Sequence, residues 1–279
     1  MKSKSSASPV GLQLVLIGLL TMFVPSAQAV FDVAVSPPRF ELKSEAGGVL
    51  RDVLLITNGS GQPGRYSVKS ADWWLDDRRQ VQFNEGTPKA DSCRSWIRLE
   101  RREISVAPRA TRNFRFEVHV PKSVKVGECR FAILISGEAQ KISDPSGRQQ
   151  IQLPLVGRIG VIVYVTIGDA KPVLRLTRLY VDTVDRKTVP FAVFRNSGNA
   201  HGRVFGSLEA KDAKGRQVEL IAGQEVILPK DERAIPLNPA DYSTGESRKP
   251  EFNLAPPMHV RGKLQFFGGG EVVIDQVIR

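Results

Sequence analysis

An all-β chain folded as two sandwiches in tandem is what this sequence predicts, on three observations. Short runs that are apolar, or that alternate apolar with polar residues, recur along the chain. Turn-forming residues separate them, with 24 Gly and 18 Pro spread through 279 residues. No segment keeps a helical period over several turns. The length exceeds what one small core needs, and charged residues at 25% are an ordinary globular share, which argues against disorder.

The first 29 residues read as an address. Lys2 and Lys4 precede an apolar run at 12–24, and Ser26-Ala27-Gln28-Ala29 supplies a small-x-small cleavage pattern, so a secretory signal peptide spanning 1–29 is expected. The run is shorter than the roughly 20 residues that a membrane span needs, and no later stretch qualifies, so no stable membrane insertion is expected. Removing 1–29 takes away two Lys and no acidic residue, which lowers the formal charge from +11 to +9. Lys and Arg are scattered among apolar residues without a run of five, the pattern of solvated strand faces and not of a nucleic-acid site.

Strands are expected at 31–35, 39–43, 49–58, 64–75, 97–100, 103–106, 111–120, 127–137 and 149–167. Phe114, Phe116, Val118 and Val120 alternate with Arg115, Glu117 and His119, so one face points inward and the other meets water. Residues 169–172 read as a linker stiffened by Pro172. A second set follows at 173–180, 189–196, 202–211, 217–220, 233–237, 259–267 and 271–278. The division is therefore an N-terminal domain at 30–168, a linker at 169–172 and a C-terminal domain at 173–279, each with about seven strands.

Three histidines and two cysteines leave little room for metal chemistry, and iron-sulfur clusters with four Cys ligands and zinc ribbons are excluded. His119, His201 and His259 are isolated in sequence, and no metal or other cofactor is assigned. There is no GxSxG elbow, HExxH or Walker-type loop, so an enzyme is not expected. In an oxidising compartment, Cys93 and Cys129 should pair, closing a loop that contributes on the order of 3 to 4 kcal/mol. Asn58-Gly59-Ser60 matches a glycosylation acceptor and also a tight turn, and the turn is the better reading. Trp73 and Trp74, adjacent on a strand, should face opposite ways, which disfavours a sugar platform.

Two features stand out from this plain reading. Ser36-Pro37-Pro38-Arg39-Phe40 puts an Arg at the start of a strand directly after two prolines. In Gln150-Ile151-Gln152-Leu153-Pro154-Leu155, the residues Ile151, Leu153 and Leu155 share one face, and Pro154, without an N–H, demands a sheet edge or a broken ladder. Their plain alternatives are packing of the three aliphatic residues within their own domain and a surface ion pair for Arg39.

With Val35-Ser36-Pro37-Pro38-Arg39-Phe40-Glu41-Leu42, Ser95-Trp96-Ile97-Arg98-Leu99, Gly127-Glu128-Cys129-Arg130-Phe131, the alternating run from Ile151 and Phe194-Arg195-Asn196-Ser197-Gly198-Asn199-Ala200 in this order, the chain resembles the PapD-like periplasmic pilus chaperones of the chaperone/usher pathway. The resemblance spans essentially all of the sequence after residue 29. It implies two immunoglobulin-like β-sandwiches in a boomerang arrangement. It also implies a periplasmic location and, as partners, pilus or fimbrial subunits and an outer-membrane usher. The chaperone would lend its edge, residues 150–156, to complete a subunit's sandwich, with Ile151, Leu153 and Leu155 filling the open groove and the same edge open to self-association. Each such side chain would contribute about 1.5 to 3 kcal/mol, more than each backbone hydrogen bond at about 0.5 to 1.5 kcal/mol. Two basic side chains would hold the subunit's C-terminal carboxylate. Arg39 matches the first, whereas the second, typically Lys, falls on Gly160, and Arg158 on the same strand face is the substitute. The alternative is an immunoglobulin-like structural or adhesion protein of the envelope that donates no strand.

Overall fold

The computed structural model describes residues 31–89, 92–137, 140–142, 153–155, 157–240 and 252–279, with backbone alone at 140–142 and 153–155. Residues 1–29, expected as a signal segment, and residues 143–152, which include Ile151, lie outside the described residues. Among those described, no helix is long and apolar enough to cross a membrane.

Twelve strands precede residue 168: β1 (Val33–Ser36), β2 (Arg39–Ser44), β3 (Val49–Asn58), β4 (Gly64–Leu75), β5 (Val81–Asn84), β6 (Ile97–Leu99), β7 (Glu103–Val106), β8 (Thr111–His119), β9 (Gly127–Gly137), β10 (Gln140–Ile142), β11 (Leu153–Leu155) and β12 (Arg158–Ile167). Eight follow: β13 (Leu174–Val184), β14 (Lys187–Asn196), β15 (Val204–Phe205), β16 (Ser207–Lys211), β17 (Gln217–Ala222), β18 (Glu232–Ala240), β19 (Met258–Phe266) and β20 (Glu271–Ile278). A single 3-10 turn at Arg94–Trp96 is the one helical element described.

In the N-terminal half, a sheet ordered β1-β3-β8-β6 faces a six-stranded sheet ordered β2-β12-β9-β4-β5, with β7 added beside β4. Alternation sets the register. Phe114, Phe116 and Val118 of β8 point into the core with Leu54 and Ile56 of β3, against Phe131, Ile133 and Ile135 of β9 and Val161, Val163 and Val165 of β12. Cys93 and Cys129 are bonded, Cα to Cα 6.0 Å, tying the segment before β6 to the middle of the opposite sheet. The C-terminal half is one eight-stranded sheet running β13-β14-β18-β17-β16-β19-β15, with β20 beside β19, wrapped around Phe194, Leu208, Leu220, Ile235, Leu237, Val260 and Leu264.

Most expected strands are present within a few residues, and three differences have local causes. The single strand expected at 149–167 is two among the described residues: β12 pairs with β9 only from Arg158 onward, where β9 nears its end at Gly137, and β11 pairs with β10 instead, Lys141 opposite Pro154. Gly206, at φ +106°, divides the strand expected at 202–211 into β15 and β16. The short hairpin strand β5 was not anticipated: Val81-Gln82-Phe83-Asn84 follows a charged turn whose geometry is set by Asp76, which accepts backbone N–H bonds from Arg78 and Gln80.

Candidate functional site

The residues with chemistry converge on the outer face of the six-stranded sheet. In β12, odd positions fill the sandwich core, so even positions Arg158, Gly160, Ile162, Tyr164 and Thr166 face outward. The ladders align them in rows: Arg39, Ile162 and Ala132 in one, Glu41, Tyr164 and Arg130 in the next, Lys43, Thr166 and Glu128 in a third. This face is not left to water. Ala71, Trp73, Ala132, Leu134 and Tyr164 form a second apolar cluster, closed from the C-terminal half by Leu228 and Val226. The sheet is therefore buried on both sides, which is why 159–167 reads as a nearly unbroken apolar run.

A charged hub lies at the edge of this cluster. The Glu41 carboxylate accepts from Arg39 Nε at 2.9 Å and lies 3.6 Å from Arg203 Nε and 3.7 Å from His201 Nε2. On the other side of the imidazole, Glu128 accepts from the His201 backbone N–H at 3.0 Å and lies 2.5 Å from Nδ1. The ring is 1% exposed, stacked on Tyr164 with centroids 3.8 Å apart and on Phe267 at 5.4 Å. The His201 contact is the main reason the Glu41 carboxyl titrates below the usual range; burial opposes it, and the charges of His201, Arg203 and Arg39 add to it. Burial pushes the Tyr164 phenol up to about 12. Farther along the junction, the β4–β5 hairpin reaches across, Arg79 donating to the Asp231 carboxylate at 2.6 Å and the Glu232 carbonyl at 2.8 Å.

The anticipated site residues divide. Arg39 lies on the junction face, half exposed, and its Nε is engaged by Glu41. Arg158 lies on the same face but four residues along β12 from the position level with Arg39, a backbone separation of roughly 13 Å, and pairs with Glu85 at 2.8 Å. Between them, the Phe83 ring covers Gly160: a Cβ there would lie 2.4 Å from Phe83 Cζ, so a longer side chain would have to displace the ring. Leu153 and Leu155 are on β11, whose described partner is β10 alone, outside both sandwich sheets; Ile151 lies outside the described residues. Trp73 is buried and Trp74 exposed under Lys89.

His201, Glu128, Glu41 and Arg203 were not anticipated as a group. They come from three separate segments, β2, β9 and the stretch between β14 and β15, and the polar residues within each do not reveal a shared location. His119 and His259 are bound elsewhere, to Glu117 and Asp275.

No family model matches the chain, and neither does any curated protein. Solved structures do. The YadV chaperone is 13% identical, with 88% of this chain and 100% of that one aligned at a TM-score of 0.45. The Pseudomonas aeruginosa CupB2 chaperone is 13% identical over 88% and 100%, at 0.42. The complex of the Salmonella enterica SafA pilin with the SafB chaperone gives 13% over 90% and 98%, at 0.46. The chain is similar to these chaperones. At such identities the likeness assigns no residue.

Proposed function

We propose that this protein is a periplasmic chaperone that binds pilus or fimbrial subunits by donating a strand and delivers them to an outer-membrane usher, with no catalytic role. The observation that carries the reading is the position of β11. Its Leu153-Pro154-Leu155 segment stands outside both sheets of the sandwich, and its described ladder uses one edge only, toward β10. Natural proteins seldom leave such an apolar edge uncovered, and a partner strand covers it by ladder pairing and by seating alternate side chains.

Arg39 supports the same reading. Glu41 engages its Nε, which fixes the guanidinium plane and leaves the Nη1 and Nη2 edge without a partner among the described residues. That edge fits a subunit's terminal carboxylate by two parallel bonds. Arg158, on the same face four residues farther along β12, is the second basic side chain proposed to reach that carboxylate. The apolar row supplies most of the affinity, and the anchor fixes register, since a slip of one residue turns that row away from the groove.

The test is co-purification of a pilin-like subunit from periplasmic extract with wild type, Leu153→Glu and Arg39→Ala. Loss of the complex in both variants, with circular dichroism unchanged, is the expected result. Full yield from both folded variants refutes strand donation and leaves the non-donating envelope protein.

A further inference from the structure

The hub around His201 joins the two halves through one ionisable ring. The ring belongs to the segment between β14 and β15, whereas the carboxylates on its two sides belong to β2 and β9. The Glu128 side chain is fully buried, and its only hydrogen bonds among the described residues come from His201, leaving Oε1 without a partner. A buried carboxylate needs a compensating charge close by, and the imidazolium is the group placed to supply it.

We propose that His201 is a pH-operated pin between the N-terminal and C-terminal halves. Protonated, the ring donates from Nδ1 to Glu128 and directs Nε2–H at Glu41, so the C-terminal half is held against β2 and β9 together. Deprotonated, it keeps one donor at most. The Glu41 contact is released, the buried Glu128 charge loses its counterion, and the junction loosens.

The surroundings decide the direction of the response. From β2 the ring is faced by Glu41, with Arg39 and Lys43 on the same edge; from β9 by Glu128 and Arg130; from β12 by Tyr164; from its own segment by Arg203; and across a cavity of about 410 Å³ by Asp169 and Lys171 of the linker. Burial alone would depress the imidazole, but the bonds and charges of Glu128 and Glu41 outweigh it, and the net shift is upward from 6.5. A histidine raised on folding contributes stability that is complete below its unfolded pKa and is lost as pH rises through its folded pKa, so the junction is firm below about 6.5 and gives way above it. Tyr164, at about 12, stays neutral throughout that window and is not the switch.

The chain holds three histidines, so their ring C–H resonances can be followed individually by NMR in the full protein across pH 5 to 9. The expected result is a His201 midpoint above 6.5, an unfolding temperature that is level below about 6.5, falls as pH rises from there to the midpoint and levels off above it, and amide shifts at Gly202 and Leu228 that follow the His201 titration. Glu41→Gln lowers the midpoint and moves the fall in stability with it. His201→Gln removes the fall; should that variant not fold, the Glu41→Gln displacement decides. A His201 midpoint at or below 6.5, or a stability profile that ignores the titration in wild type or in Glu41→Gln, overturns the proposal. The outcome is independent of any subunit binding.

Discussion

In the N-terminal half, Asn58 ends β3 fully buried: its amide donates to the carbonyls of Gln62, Val106 and Ala107, and its oxygen accepts from Ser60. In the C-terminal half, Asn196 ends β14 in the same way, donating to Ala200 and Ile227 and accepting from Gly198 and Val173. The two halves thus use one device to turn the chain out of a central strand. They differ in how their layers are held together. Among the described residues the N-terminal sheets share no ladder with each other and are joined by Cys93–Cys129, whereas the C-terminal strands form one continuous hydrogen-bonded sheet from β13 to β20 and carry no bridge. A covalent tie stands where the ladder is interrupted.

The largest way to break this comparison is to remove the tie. Cys93→Ser with Cys129→Ser should destabilise the N-terminal half by about 3 kcal/mol, read from denaturant unfolding, with little change in the C-terminal half. An equal loss in both halves would show that the bridge serves the whole chain. Next come the asparagines. Asn58→Ala and Asn196→Ala each strand buried carbonyls, and each should cost about 2 to 3 kcal/mol in its own half, measured by chemical unfolding. A cost confined to one of them would mean that the shared turn is a likeness of shape only. The smallest effect is expected where the halves touch through exposed charge. Arg79→Ala removes a pair whose Arg is 42% exposed and should cost at most about 1 kcal/mol, read from chemical unfolding.

How much of this was legible in the sequence depends on distance along the chain. The Phe114 to Val120 alternation and the turn at Asn58 are local and read directly, and the pairing of Cys93 with Cys129 reads from there being two cysteines in a chain expected to be exported. The division of 149–167 was half legible: Pro154 signalled an interrupted ladder, but the end of β9 that forces the break is set elsewhere. The hub was not legible, because nothing in the neighbourhood of His201 names Glu41 or Glu128, which arrive from strands 160 and 73 positions away. Arg158 shares a face with Arg39, as the strand period requires, but its offset of four residues along β12 from the position level with Arg39 is set by the pairing register, which the sequence does not spell out.

The doubly covered sheet has a consequence for anyone who cuts the protein in two. A fragment ending near Gly168 would keep its disulfide and its inner core, but Ala71, Trp73, Leu134, Ile162 and Tyr164 would lose Leu228 as their lid and become a bare aliphatic and aromatic slab. Such a fragment would fold and then clump, so its poor solubility would report a missing neighbour and not a defective sandwich.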